Sequence, residues 1–205
     1  MDVLRAERLA ALLVACAVAT LGAATPGTDA RTQRREADLL RQKVDVINKH
    51  AERPTKQGRR TTVTESEVNA YLAIDARPQL PAGVVDPSVT IVGTGRVSGR
   101  AVVDLDAVRT AKNPTSLLDP VNYLSGKVPV TATGVLTTKE GVGRFVLESA
   151  AIGRIPVPKL ILQEIVSYYS RTREKPSGIG LDDPFELPAR IREIQVLRGQ
   201  AIIVQ

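Results

Sequence analysis

Tryptophan is absent from this 205-residue chain, phenylalanine occurs twice, and histidine, cysteine and methionine occur once each. The lone Cys16 and the lone His50 exclude a disulfide framework, a Cys/His zinc site and a Cys-His nucleophile pair. A Ser-His-Asp arrangement would have to use His50, which stands in a charged stretch without the rigid support such a histidine needs. With aromatics at 3% of the residues, the core has to be built from Val, Ile, Leu and Ala. The same shortage removes the stacking platforms of a nucleic-acid groove. Charge argues the same way. Ten Lys/Arg stand against four Asp/Glu between Arg31 and Arg60, but only sixteen against fifteen from Thr61 to Gln205. The body is nearly neutral, so no nucleic-acid partner is expected.

What is present begins with a leader. Arg5 and Arg8 precede an apolar run from Leu9 to Ala24, followed by Thr25-Pro26-Gly27, the layout of a secretory signal. The run is short for a membrane span, so residues 1–24 are expected to be a signal peptide or, failing that, an anchor, and the protein is expected to be exported. Leu13-Val14-Ala15-Cys16 also resembles a lipobox, and that resemblance implies lipidation of Cys16.

Residues 25–60 read as a charged helix and a linker. Ala37, Leu40, Val44, Ile47 and Ala51 form a narrow stripe on an otherwise charged rod, which suits a solvated helix docked by one edge. Its functional reading is a basic arm, residues 31–60, near an anionic membrane surface. Arg53-Pro54 to Arg60 is the breaker-rich boundary, and 61–205 is expected to be a single domain. Thr64-Glu65-Ser66-Glu67 is a capping box for a short helix to about Ile74.

Strand alternation follows. Val89 and Ile91, then Val97, Ala101, Val103 and Leu105, predict a hairpin turning at Gly93-Thr94-Gly95, with a bulge at Gly99 and with Asp104 and Asp106 on its wet face. Two carboxylates on one strand face could form an acid/base pair, though solvated strand residues are the plainer reading. Lys112 to Lys127 predicts a partly helical crossover whose Leu117, Leu118 and Leu124 cover an opening of the sheet. Val128–Thr138 and Val142–Ile152 predict a second hairpin, and Ile191–Arg198 with Ala201–Gln205 a third. Ser125-Gly126-Lys127 lacks the first glycine of a phosphate loop, and Gly178-x-Gly180 is too short to bind a nucleotide, so no cofactor is expected.

Before the third hairpin comes the stretch that organises the prediction. From Ile155 to Arg171, a Pro-started helix places Ile161, Leu162, Ile165, Val166, Tyr168 and Tyr169 on one face and Gln163, Glu164, Ser167, Ser170 and Arg171 on the other, where Leu160 is the one apolar residue. The expected fold class is α+β: a curved antiparallel sheet of about six strands, in three hairpins, wrapped around this one late amphipathic helix, with an N-terminal helix ahead of it.

Thr64-Glu65-Ser66-Glu67-Val68, Val102-Val103-Asp104-Leu105-Asp106, Ile155-Pro156-Val157-Pro158 and Pro184-Phe185-Glu186-Leu187-Pro188 together resemble bacterial envelope proteins of the tubular lipid-binding (TULIP) type, including YceB-like lipoproteins and LmeA-like periplasmic proteins. The resemblance covers roughly Thr61 to Gln205. It implies a sheet wrapped round a helix with an apolar slot for acyl chains and no catalytic machinery. The slot residues would be Phe145, Leu147, Ile161, Leu162, Ile165, Val166, Tyr168, Tyr169, Ile194 and Val196. A closed core is the plainer reading of the same pattern. The expected function is a non-enzymatic envelope protein that binds or shuttles a lipid or other apolar chain. The alternative is a structural or protein-interaction module anchored at the membrane.

Overall fold

A computed structural model describes residues 30–53, 57–112, 125–172 and 175–205. The leader with Cys16 and the expected cover from Leu117, Leu118 and Leu124 lie outside the described residues.

The charged rod is helix α1 (Ala30–Glu52), and its stripe is buried at Ala37, Leu40 and Ile47. It lies along α2 (Glu65–Ile74), which starts at the capping box. The Thr64 hydroxyl accepts the Glu67 N–H at 3.3 Å, and the Glu67 carboxylate accepts the Thr64 N–H at 2.9 Å. Glu67 is only 4% exposed, and both of its oxygens also take Lys43 Nζ of α1, at 2.6 and 2.7 Å. One carboxylate therefore caps one helix and ties the other to it. Arg41 adds a second tie, donating to Asp75 at 2.6 Å just past the end of α2.

Two antiparallel sheets follow. The smaller has the order β1 (Arg60–Thr64), β9 (Gln200–Val204), β8 (Glu193–Leu197), with Arg60 opposite Val204. The larger runs β2 (Val84–Gly93), β3 (Arg96–Asp104), β4 (Lys127–Lys139), β5 (Val142–Ile152), β6 (Ile155–Pro156). Strand β7 (Phe185–Glu186) pairs with the other end of β5, Phe185 opposite Gly143. The predicted hairpins all form, and the fold is α+β. Two of them turn on two-residue loops, Thr94-Gly95 and Glu140-Gly141. Both residues of each loop have positive φ, the geometry that matches strand twist.

Three details differ from the sequence expectation. The third hairpin belongs to the small sheet, completed by β1, in a stretch that read as linker and cap. Gly99 stays in register with both neighbours, and the irregularities fall between Val85 and Ser88, between Ile91 and Gly93, and between Thr133 and Gly134. The sheet is also not wrapped around the late helix, α4 (Lys159–Tyr169), which meets the large sheet chiefly along β5. The element that covers the sheet is α2. Leu72 and Ala76 pack with Val89, Ile91 and Val196, joined by the half-buried Val97, Leu136 and Ile194. A second cluster gathers Ile47 of α1 with Leu187 and Ile191, and Ile194 touches both.

Sheet edges are closed by side chains. The Asn69 amide of α2 donates to the Val89 carbonyl at 2.8 Å and accepts the Val89 N–H at 2.7 Å, as a neighbouring strand would. Glu65 accepts the Ile91 N–H at 2.6 Å. Thr138 of β4 serves both backbone groups of Ile194 on β8, at 2.8 and 3.1 Å, and so stitches the two sheets together.

Candidate functional site

The ten expected slot residues are not gathered into one pocket. Val196 and Ile194 lie in the core under α2. Phe145 and Leu147 are half-buried on β5, opposite Leu136 and Gly134. Leu162 and Val166 are half-buried on α4. Ile161, Ile165 and Tyr168 face solvent, 51, 37 and 47% exposed, and Leu160 beside them is 71% exposed. The side chain of Tyr169 lies outside the described residues. A shallow hollow of about 640 Å³ lies along the start of α1, between Ala30 and Gln42, away from all ten.

The reason is that α4 sits with its polar side inward. The segment 178–183 returns along the helix, and Gln163, Ser167 and Ser170 satisfy it. Gln163 Oε1 accepts the Leu181 N–H at 2.7 Å, and its amide nitrogen donates to the Ser167 hydroxyl at 2.6 Å. The Ser170 hydroxyl accepts the Ile179 N–H at 2.7 Å and donates to the Val166 carbonyl at 2.6 Å. Gly178, at φ +77°, passes so close to the Ser167 carbonyl that a Cβ there would overlap it. Buried backbone groups need partners, and this seam supplies them, so the uncharged polar stripe is the one that is covered. Pro158 is the N-cap of α4 and lies just outside its first turn.

With that stripe inside, Leu162 and Val166 stay half-buried and the rest of the described apolar face is left outside. Leu160, Ile161, Ile165 and Tyr168 share an exposed arc with Glu164. Just ahead in the chain, Ile155 on β6 is 72% exposed, and Ile152 opposite it on β5 is also exposed. The signal for this arrangement is in the sequence. Gln163, Ser167 and Ser170 carry no charge and can be covered once hydrogen-bonded, while the charged Glu164 keeps the exposed arc.

The candidate carboxylate pair dissolves on inspection. Strand β3 ends at Asp104, which caps α3 (Leu105–Lys112) by accepting the Ala107 N–H at 3.0 Å. Asp106 lies in the first turn of that helix, where it pairs with Arg109 and accepts the Gly126 N–H at 2.9 Å. Aspartate is a good cap and suits a helix start, which is what ends the strand pattern at Leu105. Among the described residues, no group of His, Cys, Asp and Glu gathers as a metal site, and no helix is long and apolar enough to cross a membrane.

Comparison with known proteins yields no matching family model, no matching characterised protein and no matching solved structure.

Proposed function

We propose that this is an exported, non-enzymatic protein of the cell envelope that binds a lipid or other apolar chain, and that it does so on the outer face of α4 with the neighbouring Ile152–Ile155 corner. One observation carries the reading: a single eleven-residue helix turns four large apolar side chains to solvent while hydrogen-bonding its polar ones inward. Scattered exposed apolar residues are ordinary, but a contiguous patch marks a binding surface. Fully burying a large aliphatic side chain is worth about 1.5–3 kcal/mol, so the half of that already exposed on each of four residues is enough to hold an acyl chain weakly. The secretory layout of residues 1–24 and the TULIP-like pattern support the same reading from the sequence.

Native mass spectrometry of the protein after gentle extraction tests it. Adducts of lipid mass are expected, and they should fall at least tenfold in Ile161→Glu/Ile165→Glu. A protein that never carries lipid and binds no fatty acid in solution would sink the proposal. The burial of Val196 and Ile194 in a closed core favours a second reading, a structural or protein-interaction module. It expects a protein partner whose capture is unaffected by the same two substitutions.

A further inference from the structure

The charges that frame the exposed face of α4 identify the form in which it meets lipid. Arg154 stands exposed in the turn between β5 and β6, next to Ile155. Lys159 opens α4, Arg171 follows its end, and Lys175 lies beyond, all exposed. On the acidic side, Asp182 is paired with Lys159, and Asp183 accepts the Gly180 N–H at 2.7 Å. Among the described residues, that leaves Glu164 as the carboxylate on the exposed arc. Among the described residues, no carboxylate pairs with Arg154, Arg171 or Lys175. The Arg171 guanidinium lies over the Tyr168 ring, 5.6 Å from its centroid. A ring with an apolar body and polar tip, stacked with a cation, suits the headgroup level of a bilayer.

We infer that α4 docks flat on an anionic bilayer, with Leu160, Ile161, Ile165 and Tyr168 in the acyl boundary and Arg154, Arg171 and Lys175 at the phosphates. This deepens the lipid-binding reading and rests on it. An amphipathic helix with apolar residues on one side and cations at its margins is the interfacial pattern. At roughly 16 Å long, α4 offers far less than the ~800 Å² per partner of a stable dimer, and a two-fold α4 pair would bring its cations against one another. An anionic surface meets both features at once. Each cation held there is worth roughly fivefold in partitioning before salt screening.

The absence of tryptophan supplies the probe, since Tyr168→Trp in the full chain introduces a single indole on this face. With phosphatidylcholine vesicles containing phosphatidylglycerol, a blue shift and quenching by brominated acyl chains are expected. Partitioning should weaken about tenfold or more on pure phosphatidylcholine or in 0.5 M salt. The response should vanish in Ile161→Glu/Ile165→Glu and weaken in Leu160→Ser, a milder change at a side chain 71% exposed. Because the indole reports only its own face, insertion of the apolar leader cannot mimic the result. An indole that ignores vesicles while native mass spectra still show lipid would overturn the docking mode and leave the lipid reading standing. Silence in both measurements would overturn both. An indole already shielded without vesicles, with a dimer in light scattering, would assign the face to a second copy and overturn the inference.

Discussion

Glu67 shows how much one side chain can determine. It closes the start of α2 and pairs with Lys43 of α1 through a carboxylate that is itself almost dry, while the Lys43 side chain stays partly exposed. Replacing it with Ala removes a cap and leaves the ammonium without its partner, at an expected cost of about 2–4 kcal/mol in urea unfolding. Glu67→Gln keeps an acceptor for the Thr64 N–H and should cost about half as much. Gly134 gives a test of packing. It faces Leu147 across β4 and β5, and a Cβ there would press on the Phe145 ring and the Val146 carbonyl. Gly134→Ala should therefore destabilise by about 1–3 kcal/mol, read as a lower midpoint with an unchanged slope. The capping half of the Glu67 role was legible in the sequence, because Thr64 and Glu67 have the right spacing. The bridging half was not, because nothing local says that Lys43 comes to the same carboxylate.

Among the elements, the hairpins and the capped helix α2 were read well, since period-two alternation and caps are local signals, but α3 was missed because Leu105 continued the strand alternation. Helix α4 was found, but it is turned about its axis: Leu162 and Val166 stay half-buried, whereas Ile161, Ile165 and Tyr168 face out and Gln163, Ser167 and Ser170 face in. Amphipathicity says that two faces differ, and solvent exposure was assumed for the polar one. The returning segment 178–183 needs hydrogen-bond partners for Ile179 and Leu181, and that need decides which side turns in. Gln163→Leu should leave the Leu181 N–H unpaired, costing about 1–3 kcal/mol. Amide exchange across 178–183 should rise well before the core opens. In the large sheet, Arg96 of β3 reaches across β4 to grip Glu148 of β5 through Nε and Nη2, at 2.8 and 2.7 Å. The Arg96 hydrogen bond holds the Glu148 carboxyl below its ordinary value of 4.5. A carboxyl lowered on folding stabilises above its ordinary pKa and loses that contribution as pH falls through the lowered one. Below pH 4.5, therefore, melting temperature should fall less steeply in Glu148→Gln than in the parent.

At the scale of the whole molecule, the α+β class followed from the element order, but the division into two sheets did not. Pairing Arg60 with Val204 joins residues far apart in the chain, and no periodicity encodes so distant a partner. The surroundings of Ile194 and Val196 were illegible for the same reason: alternation marked them as inward, without saying that α2 would be what they meet.

The line of β6 and β7 along β5 has its own consequence. Pro156 lies opposite Ala151 and Phe185 opposite Gly143, so the two stubs occupy one strand track, and the whole excursion through α4 is spliced into its middle. Seven residues at roughly 3.3 Å each would span that interval in register. The excursion should thus behave as a detachable cassette on the rest of the fold. Replacing 157–184 by a seven-residue strand-forming link should leave urea unfolding of the α1–α2 core within about 1 kcal/mol of the parent, while lipid adducts disappear.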